Sequence, residues 1–449
     1  MPEVLWSKGG SASESVDALV HRFTVGEDPV TDLALLPFDC LASAAHARSL
    51  AAAGLLPETE AKALVAELGK LKAAAEVGAL AIPPALEDGH TLLEAKLTEA
   101  LGATGAKIHL GRSRNEQVAL ALRLWMRTAV VDLGEDATAL AGALLAFAER
   151  HGDAPLPGLT HLRRAMPSSF GLWAEAFAEA LLEELEALKA VDARLDRSPA
   201  HSAAGFGSPL PFDRTEAARR LGFSRVQRNP LDVQNGRGRG EGALLTWLTS
   251  LSLTLEKLAW DGCLYGAEGF GFLKLPAAFT TGSSLMPQKR NPDALELVRG
   301  RSRELRGLGA TVERIAGGLP SSYHRDFQLL KKPLMDAVRI AREMLAVLTR
   351  LVEGLEPDLA AASAACTDEL YAANEAFRLS ADGTPFRQAY RAVASRLADG
   401  SFAPDRTAAG PPPVAPLASA ARLELARHQA WLAGRRGALH QTATSLFQD

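Results

Sequence analysis

The sequence predicts an all-α protein built around a bundle of long helices, and three observations support this fold class. Ala and Leu dominate the 449 residues while aromatic residues make up only 6%, a composition that favours helix over sheet. Several long stretches repeat apolar residues at helical spacing. No alternating apolar–polar run of useful length is found, so we expect neither a Rossmann sheet nor a β-barrel.

The first segment, residues 1–107, is predicted to hold shorter helices. Helical spacing indicates one helix over Glu58–Ala75 and another over His90–Leu101, with Pro83 and Pro84 breaking the chain between them. A chain of 449 residues exceeds one ordinary hydrophobic core, so two or three domains are expected. We place the boundaries at 1–107, 108–356 and 357–449.

The middle segment carries the long helices of the predicted bundle. The five stretches are Glu116–Arg150, Ser169–Arg197, Glu241–Gly266, Pro292–Ile315 and Pro333–Leu355. The second would form a helix about 43 Å long at about 1.5 Å per residue. Residues 244–264 are apolar over most of the helix surface, so this helix must be buried on nearly every side. We expect other subunits to contribute to that burial.

The last segment begins near Pro357 and is predicted to contain further helices. A proline-rich stretch over residues 403–416 is typical of a linker or a surface wrap. A final helix over Leu417–Leu432 is predicted to stop at Gly434.

Composition narrows the function classes. A net charge of −4 argues against a nucleic-acid partner, which usually requires a basic excess. The three cysteines are far apart and lack metal-ligand spacing, which fits a reducing cytoplasm. No signal peptide and no apolar run of membrane-spanning length is recognised, so we expect a cytoplasmic protein without a membrane partner.

The loop from Gly282 to Pro292 is the strongest chemical signal. It joins a Gly-Ser-Ser turn to a predicted helix start, with Asn291 as N-cap and Pro292 at the first helical position. Lys289 stands beside that helix N-terminus, so the loop gathers positive potential and suits an anionic substrate. An ordinary connecting loop is the simpler alternative.

Four further clusters combine polar side chains with glycine or proline: 87–90, 109–117, 158–167 and 321–332. Each could be a helix start or a solvated loop. Together they supply cations, amides, a threonine and histidines, which hold carboxylates by charge-assisted hydrogen bonds. A metal site is not favoured, because no His-x-x-x-His pair or Cys/His array occurs. A Ser-His-Asp hydrolase is not favoured either, because the Gly-x-Ser-x-Gly elbow is missing.

These blocks resemble a known family. The loop matches the signature Gly-Ser-Ser-x-Met-Pro-x-Lys-x-Asn-Pro of the fumarase/aspartase superfamily. Residues 109–117 resemble the block His-x-Gly-Arg-Ser-Arg-Asn-Asp-Gln of argininosuccinate lyases, with Glu116 in place of aspartate. Residues 158–167 and 319–331 resemble two more of their blocks. The likeness extends from about Leu5 to about Arg391.

The resemblance implies an all-helical, three-domain subunit in a homotetramer with a core of twenty helices. Each active site would draw residues from three subunits. The implied reaction is the reversible cleavage of argininosuccinate to arginine and fumarate, the last step of arginine biosynthesis, without a cofactor. Another fumarate-releasing lyase of the superfamily, or a non-catalytic lens-protein homologue on the same fold, remain alternatives.

The resemblance also implies roles for individual residues. Ser283 is the candidate base, with a closed, dry loop and a nearby cation to activate it. His161 would exchange the proton of the leaving nitrogen, with Glu296 orienting its ring, although acid and base could be exchanged between Ser283 and His161. Lys289 and Asn291 would bind the carboxylate that stabilises the carbanion. The remaining candidates bind substrate: Asn115 and Thr160 with Ser113 and Arg114 on the fumarate part, Tyr323, Gln328 and Lys331 on the arginine part, and His90.

Several positions depart from the family pattern. Gly26 stands where a serine is usual, and Arg163 replaces a glutamine. Residues 229–240 and 329–332 also differ from the usual blocks. We therefore expect a divergent branch of the family.

Overall fold

A computed structural model describes residues 18–83, 86–406 and 414–448. The all-α prediction is confirmed, since helices form nearly all of the regular structure in these residues. The helices are α1 (Ala18–Val25), α2 (Asp28–Thr31), α3 (Leu36–Ala52), α4 (Glu58–Glu76), α5 (Gly89–Leu101), α6 (Ala103–Ala106), α7 (Arg114–His151), α8 (Phe170–Leu195), α9 (Arg214–Arg220), α10 (Pro230–Asn235), α11 (Arg239–Tyr265), α12 (Asp293–Ala316), α13 (Lys331–Glu353), α14 (Leu359–Ala365), α15 (Ala372–Ala381), α16 (Phe386–Ala398) and α17 (Val414–Phe447). Short 3-10 helices cover Asp32–Ala34, Lys107–His109, Ala277–Phe279, Arg325–Leu330 and Asp368–Tyr371.

The five long helices predicted from the sequence form one bundle. Helix α7 packs against α8 and α13, while α11 packs against α8, α12 and α13. Their inward residues make one continuous apolar core, and Leu140, Leu185, Leu248 and Leu345 are completely buried in it. The bundle is a rigid platform, because such cores are packed about as densely as organic crystals.

A second apolar core lies under the N-terminal helices. Helices α3, α4 and α5 enclose Leu50, Leu64 and Leu97, all almost fully buried. Helix α3 also packs against α7. This contact brings the start of α5 and the start of α7 close to each other, which positions the site described below.

The C-terminal helix is longer than predicted. Helix α17 continues through Gly434 to Phe447, so the predicted stop at Gly434 is wrong. It lies along α7 and α8, and Arg435 bonds to Asp192 of α8 at 2.8 Å. Packing of this kind outweighs the cost of glycine in a helix, about 1 kcal/mol.

Short strands occur where none was predicted. Strands β1 (Pro155–Thr160) and β2 (Arg163–Ser169) form an antiparallel hairpin. The remaining strands have two residues each: β3 (Leu273–Lys274), β4 (Thr281–Gly282), β5 (Arg290–Asn291) and β6 (Glu356–Pro357), with β3 paired to β6 and β4 paired to β5. Prolines and glycine in β1 hide the alternation by which a strand is recognised.

The start of α12 also differs from the prediction. Asn291 pairs with Thr281 in the β4–β5 ladder, and the helix begins at Asp293 with Pro292 in the capping position. Asn291 is therefore not an N-cap.

Candidate active site

A cavity of about 370 Å³ lies between the starts of α5, α7 and α13. Six of the predicted site residues line it: His90, Arg114, Asn115, Tyr323, Gln328 and Lys331. They come from three distant parts of the chain. Its charged lining, His90 aside, consists of four carboxylates and four Arg or Lys side chains. The cavity thus presents balanced charge to a ligand that carries both signs.

The ammonium group of Lys331 is paired with two aspartates at the wall of this cavity. Its Nζ lies 2.5 Å from Asp32 Oδ1 and 2.8 Å from Asp28 Oδ1, and its side chain is 3% exposed. Burial alone would lower the pKa of Lys331, but the two carboxylates outweigh it and the pKa is raised. For Asp28 burial dominates, and it raises the pKa to about 6 despite the attraction of Lys331. Neither aspartate was predicted from the sequence to be a site residue.

Gln328 anchors the N-terminal segment to the cavity. Its Nε2 donates to the carbonyl oxygens of Thr24 and Val25, each at 2.9 Å. Gly26 follows with φ +56°, and a Cβ there would meet Gln328 Nε2 at 3.7 Å. Such a backbone conformation favours glycine. This explains the departure at Gly26: the turn needs a glycine, and the segment is held by its backbone carbonyls.

Arg114 is paired within the cavity wall. It donates to Asp88 Oδ2 at 3.2 Å and to Thr91 Oγ1 at 3.0 Å. Asp88 also caps α5 by accepting from Thr91 N at 2.8 Å. Burial raises the pKa of Asp88, but His90, Arg114 and the Thr91 bonds outweigh burial and the pKa is lowered. Ser113 caps α7 by accepting from Asn115 N at 3.3 Å, and it does not line the cavity.

Glu116, which stands in the aspartate position, is a buried support for the adjoining loop. Its carboxylate accepts from His201 N and Ala203 N, each at 2.7 Å. Both residues have positive φ, so their backbone needs outside anchoring. Burial raises the pKa of Glu116. This effect exceeds the lowering of the pKa by Arg112 and by the two backbone N–H groups. The longer side chain reaches the loop while Asn115 remains at the cavity.

Arg237 is a further cavity residue that the sequence reasoning did not select. It is 6% exposed, and its guanidinium lies 5.5 Å from the ring centre of Phe327. Its Nε donates to Glu241 Oε1 at 3.4 Å, while its Nη1 is buried without a partner among the described residues. The run of arginines and glycines around Arg237 is visible in the sequence, but the burial of its side chain could not be predicted from that run.

The Gly282–Pro292 loop lies outside this cavity. Ser283 Oγ accepts hydrogen bonds from Met286 N at 3.0 Å and from Leu285 N at 3.2 Å. Lys289 is exposed. Glu296, half-exposed in the first turns of α12, has Arg299 Nη2 at 3.5 Å. Arg299 in turn stacks on Trp260, with its Cζ 3.9 Å from the ring centre.

His161 and Thr160 also lie away from the cavity. Thr160 is the last residue of β1, and His161 and Leu162 form the hairpin turn with φ of 53° and 58°. Both Thr160 and His161 are exposed. A single chain therefore presents its predicted site residues in three places: the cavity, the loop before α12 and the hairpin tip. Within the described residues no group of three or more His, Cys, Asp or Glu side chains could hold a metal ion.

The fold is shared with solved structures of fumarate-lyase enzymes. EDDS lyase in complex with formate superposes with a TM-score of 0.80 at 22% identity, covering 96% of this chain and 95% of that one. A class II fumarase from Schistosoma mansoni superposes at 0.73 with 15% identity, over 85% and 88% of the two chains. None of the described helices is long and apolar enough to cross a membrane. The chain therefore shares the fold of these lyases.

Sequence comparison defines the family more closely. The family model described as "Lyase" matches residues 12–307. An argininosuccinate lyase of Sorangium cellulosum is 45% identical over 394 residues, 88% of this chain and 90% of that protein. One from Thermotoga neapolitana is 39% identical over 396 residues, 88% and 98% of the two chains. The chain belongs to the argininosuccinate lyase family.

Proposed function

We propose that this chain cleaves argininosuccinate reversibly to L-arginine and fumarate, as a carbon–nitrogen lyase in the cytoplasm. The observation that carries the proposal is the cavity, which gathers Tyr323, Gln328, Lys331 and Asn115 from distant segments. These belong to the blocks that distinguish the family from its fumarate-releasing relatives. The curated relatives with 38–45% identity bear the same enzyme name.

The cavity suits the arginine part of the substrate. That part carries an ammonium, a carboxylate and a guanidinium group, so it needs acceptors as well as donors. Asp28 and Asp32 supply acceptors around Lys331, and Tyr323 and Arg325 also line the space. A cavity with one sign of charge would fit this ligand poorly.

We propose a homotetramer in which other copies complete each cavity with Ser283, Lys289, Asn291, Glu296, Thr160 and His161. These residues lie on two segments that do not reach the cavity of their own chain. Helices α11 and α12 also carry exposed apolar side chains, with Leu253 at 54%, Trp260 at 49% and Leu297 at 66%. Exposed apolar patches on long bundle helices are typical of subunit interfaces.

The chemistry follows from the proposed assembly. The reaction removes a proton from the carbon beside a carboxylate, breaks the neighbouring carbon–nitrogen bond and forms the double bond of fumarate. Ser283 takes the proton, and two backbone N–H groups aimed at its Oγ stabilise negative charge there. Lys289 and Asn291 hold the carboxylate, and His161 returns a proton to the leaving nitrogen.

A pair of neighbouring serines tests this proposal. Ser283→Ala should reduce kcat by at least about a hundredfold, because it removes the base. Ser284→Ala is the matched control and should stay within a few-fold of wild type. Fumarate formation is followed by its ultraviolet absorbance, with adenylosuccinate and aspartate as competing substrates. Wild-type activity in Ser283→Ala, or a preference for another substrate, would refute the proposal.

A further inference from the structure

His90 and Asp39 form a buried pair at the cavity. His90 Nδ1 lies 2.5 Å from Asp39 Oδ2, and the two side chains are 9% and 3% exposed. A carboxylate oxygen accepts, so Nδ1 carries the hydrogen. His90 Nε2 has no hydrogen-bond partner in the part of the chain that the structure describes, and His90 lines the cavity. The ring thus keeps one nitrogen available at the cavity.

A buried cation lies near the second carboxylate oxygen of Asp39. Arg112 Nη2 lies 3.8 Å from Asp39 Oδ1, and Arg112 Nη1 donates to Ser43 Oγ at 2.9 Å. Asp39 and Ser43 lie on α3, and Arg112 lies just before α7, which packs against α3. Asp39 does not line the cavity, so its contact with a ligand would pass through His90.

Charges from several elements act on His90. Asp39, Asp88 and Asp32 attract its proton, while Arg114 is a nearby cation and burial lowers the pKa of the neighbouring His109. Burial opposes the charged ring, but the carboxylates outweigh burial and the pKa of His90 is raised. The other charged groups of the cavity lining balance, four against four. Protonation of His90 therefore adds one positive charge to an otherwise balanced lining.

We propose that Asp39 is a positioning residue that keeps His90 an imidazolium and directs its Nε2–H into the cavity, where it binds a carboxylate of the substrate. The inference rests on the proposed function, since it assumes a substrate with a carboxylate. Lys331 and Arg114 are already paired with acidic groups. His90 adds a positive donor for an entering carboxylate to the two other cations of the lining, Arg237 and Arg325.

Kinetics test the role of Asp39. Asp39→Asn keeps an acceptor for Nδ1 but removes the charge. At a pH where the wild-type ring is charged, it should raise KM for argininosuccinate about tenfold, the loss of roughly one charge-assisted bond, with kcat within about twofold. In Asp39→Asn the rise of KM with pH should also begin at a lower pH than in wild type. Ser49→Ala, on the same helix as Asp39 but bonded to the carbonyl oxygen of Ala45, is the control and should leave the KM profile unchanged. An unaltered profile in Asp39→Asn would overturn the inference.

A measurement without turnover separates this inference from the proposed function. NMR of protein labelled at the histidine rings, with His90→Gln for assignment, reports the titration of His90. The wild-type ring should be charged at pH 7 and should titrate at lower pH in Asp39→Asn. A neutral wild-type ring, or an unchanged titration in the variant, contradicts the role of Asp39 whatever the enzyme cleaves. Failure of wild type to release arginine would instead contradict the proposed function alone.

Discussion

Lys331 Nζ lies 2.5 Å from Asp32 Oδ1, and both side chains are almost completely buried. This ion pair joins the first residue of α13 to the 3-10 helix that follows α2. It connects the bundle to the N-terminal segment at the wall of the cavity. The same contact therefore supports the fold and defines one side of the proposed substrate site.

Replacing Lys331 should cost both stability and activity. Lys331→Met leaves Asp28 and Asp32 buried without their cation, and breaking a buried pair costs about 3–5 kcal/mol. Urea unfolding and fumarate release measure the two effects. Lys332→Met is the matched control, because Lys332 is half-exposed and pairs with Asp336 on its own helix. Its loss should change the free energy of unfolding by less than about 1 kcal/mol. Equal effects of the two replacements would contradict the account.

Asp28 should make stability fall as the pH rises through its folded pKa. That pKa is raised from 3.8 to about 6, so between these values the folded protein binds more protons than the unfolded chain. Stability from this group is then lost with rising pH, by at most about 3 kcal/mol. Asp28→Asn removes the effect, so its stability relative to wild type should be higher at pH 8 than at pH 4. Urea unfolding at both pH values checks this, and a gain that is larger at pH 4 would be the wrong sign.

Mixed oligomers test whether the sites are shared between copies. Ser283→Ala and His161→Asn should each be inactive alone. If each site takes its loop and its hairpin tip from different chains, about a quarter of the sites in a random equal mixture are intact. Refolding the two variants together should restore activity of that order. The control mixture, Ser283→Ala with Lys289→Met, carries both lesions on one loop and should stay inactive. No recovery in the first mixture would refute shared sites.

The end of α17 should be needed for stability. A stop after Ala433 removes Leu446, which is 2% exposed against α3 and α9, and the bond from Arg435 to Asp192. Loss of such a buried leucine alone costs about 2–5 kcal/mol. Thermal and urea unfolding should show at least that decrease. A stop after Phe447 is the control and should stay close to wild type. Comparable stability of both truncations would show that this helix end is dispensable.

The long helices could be predicted because their signal is local. Apolar spacing over 169–197 gave α8, with its N-cap Ser169 accepting from Leu172 N at 3.1 Å. The end of α17 could not be predicted in the same way, since tertiary packing overrides Gly434. The β1–β2 hairpin was not predicted, because Pro155, Pro157 and Gly158 interrupt the apolar–polar alternation by which a strand is recognised. Asn291 was misplaced because pairing with Thr281 competes with helix capping.

The site was only partly visible in the sequence. Motif spacing selected Tyr323, Gln328 and Lys331, and the fold brings them to one cavity with His90. Asp28 and Asp39 were missed because their roles depend on partners far along the chain. One chain does not show which residues of different copies meet, so the positions of Ser283 and His161 relative to the cavity of another copy stay predictions.

Product analysis of the purified protein with argininosuccinate tests the central claim most directly. Arginine and fumarate should appear in equal amounts, and Ser283→Ala should abolish both while Ser284→Ala retains them. The account would be contradicted if the folded wild-type protein released neither product from argininosuccinate. It would also be contradicted if the protein formed fumarate, but no arginine, from a different substrate.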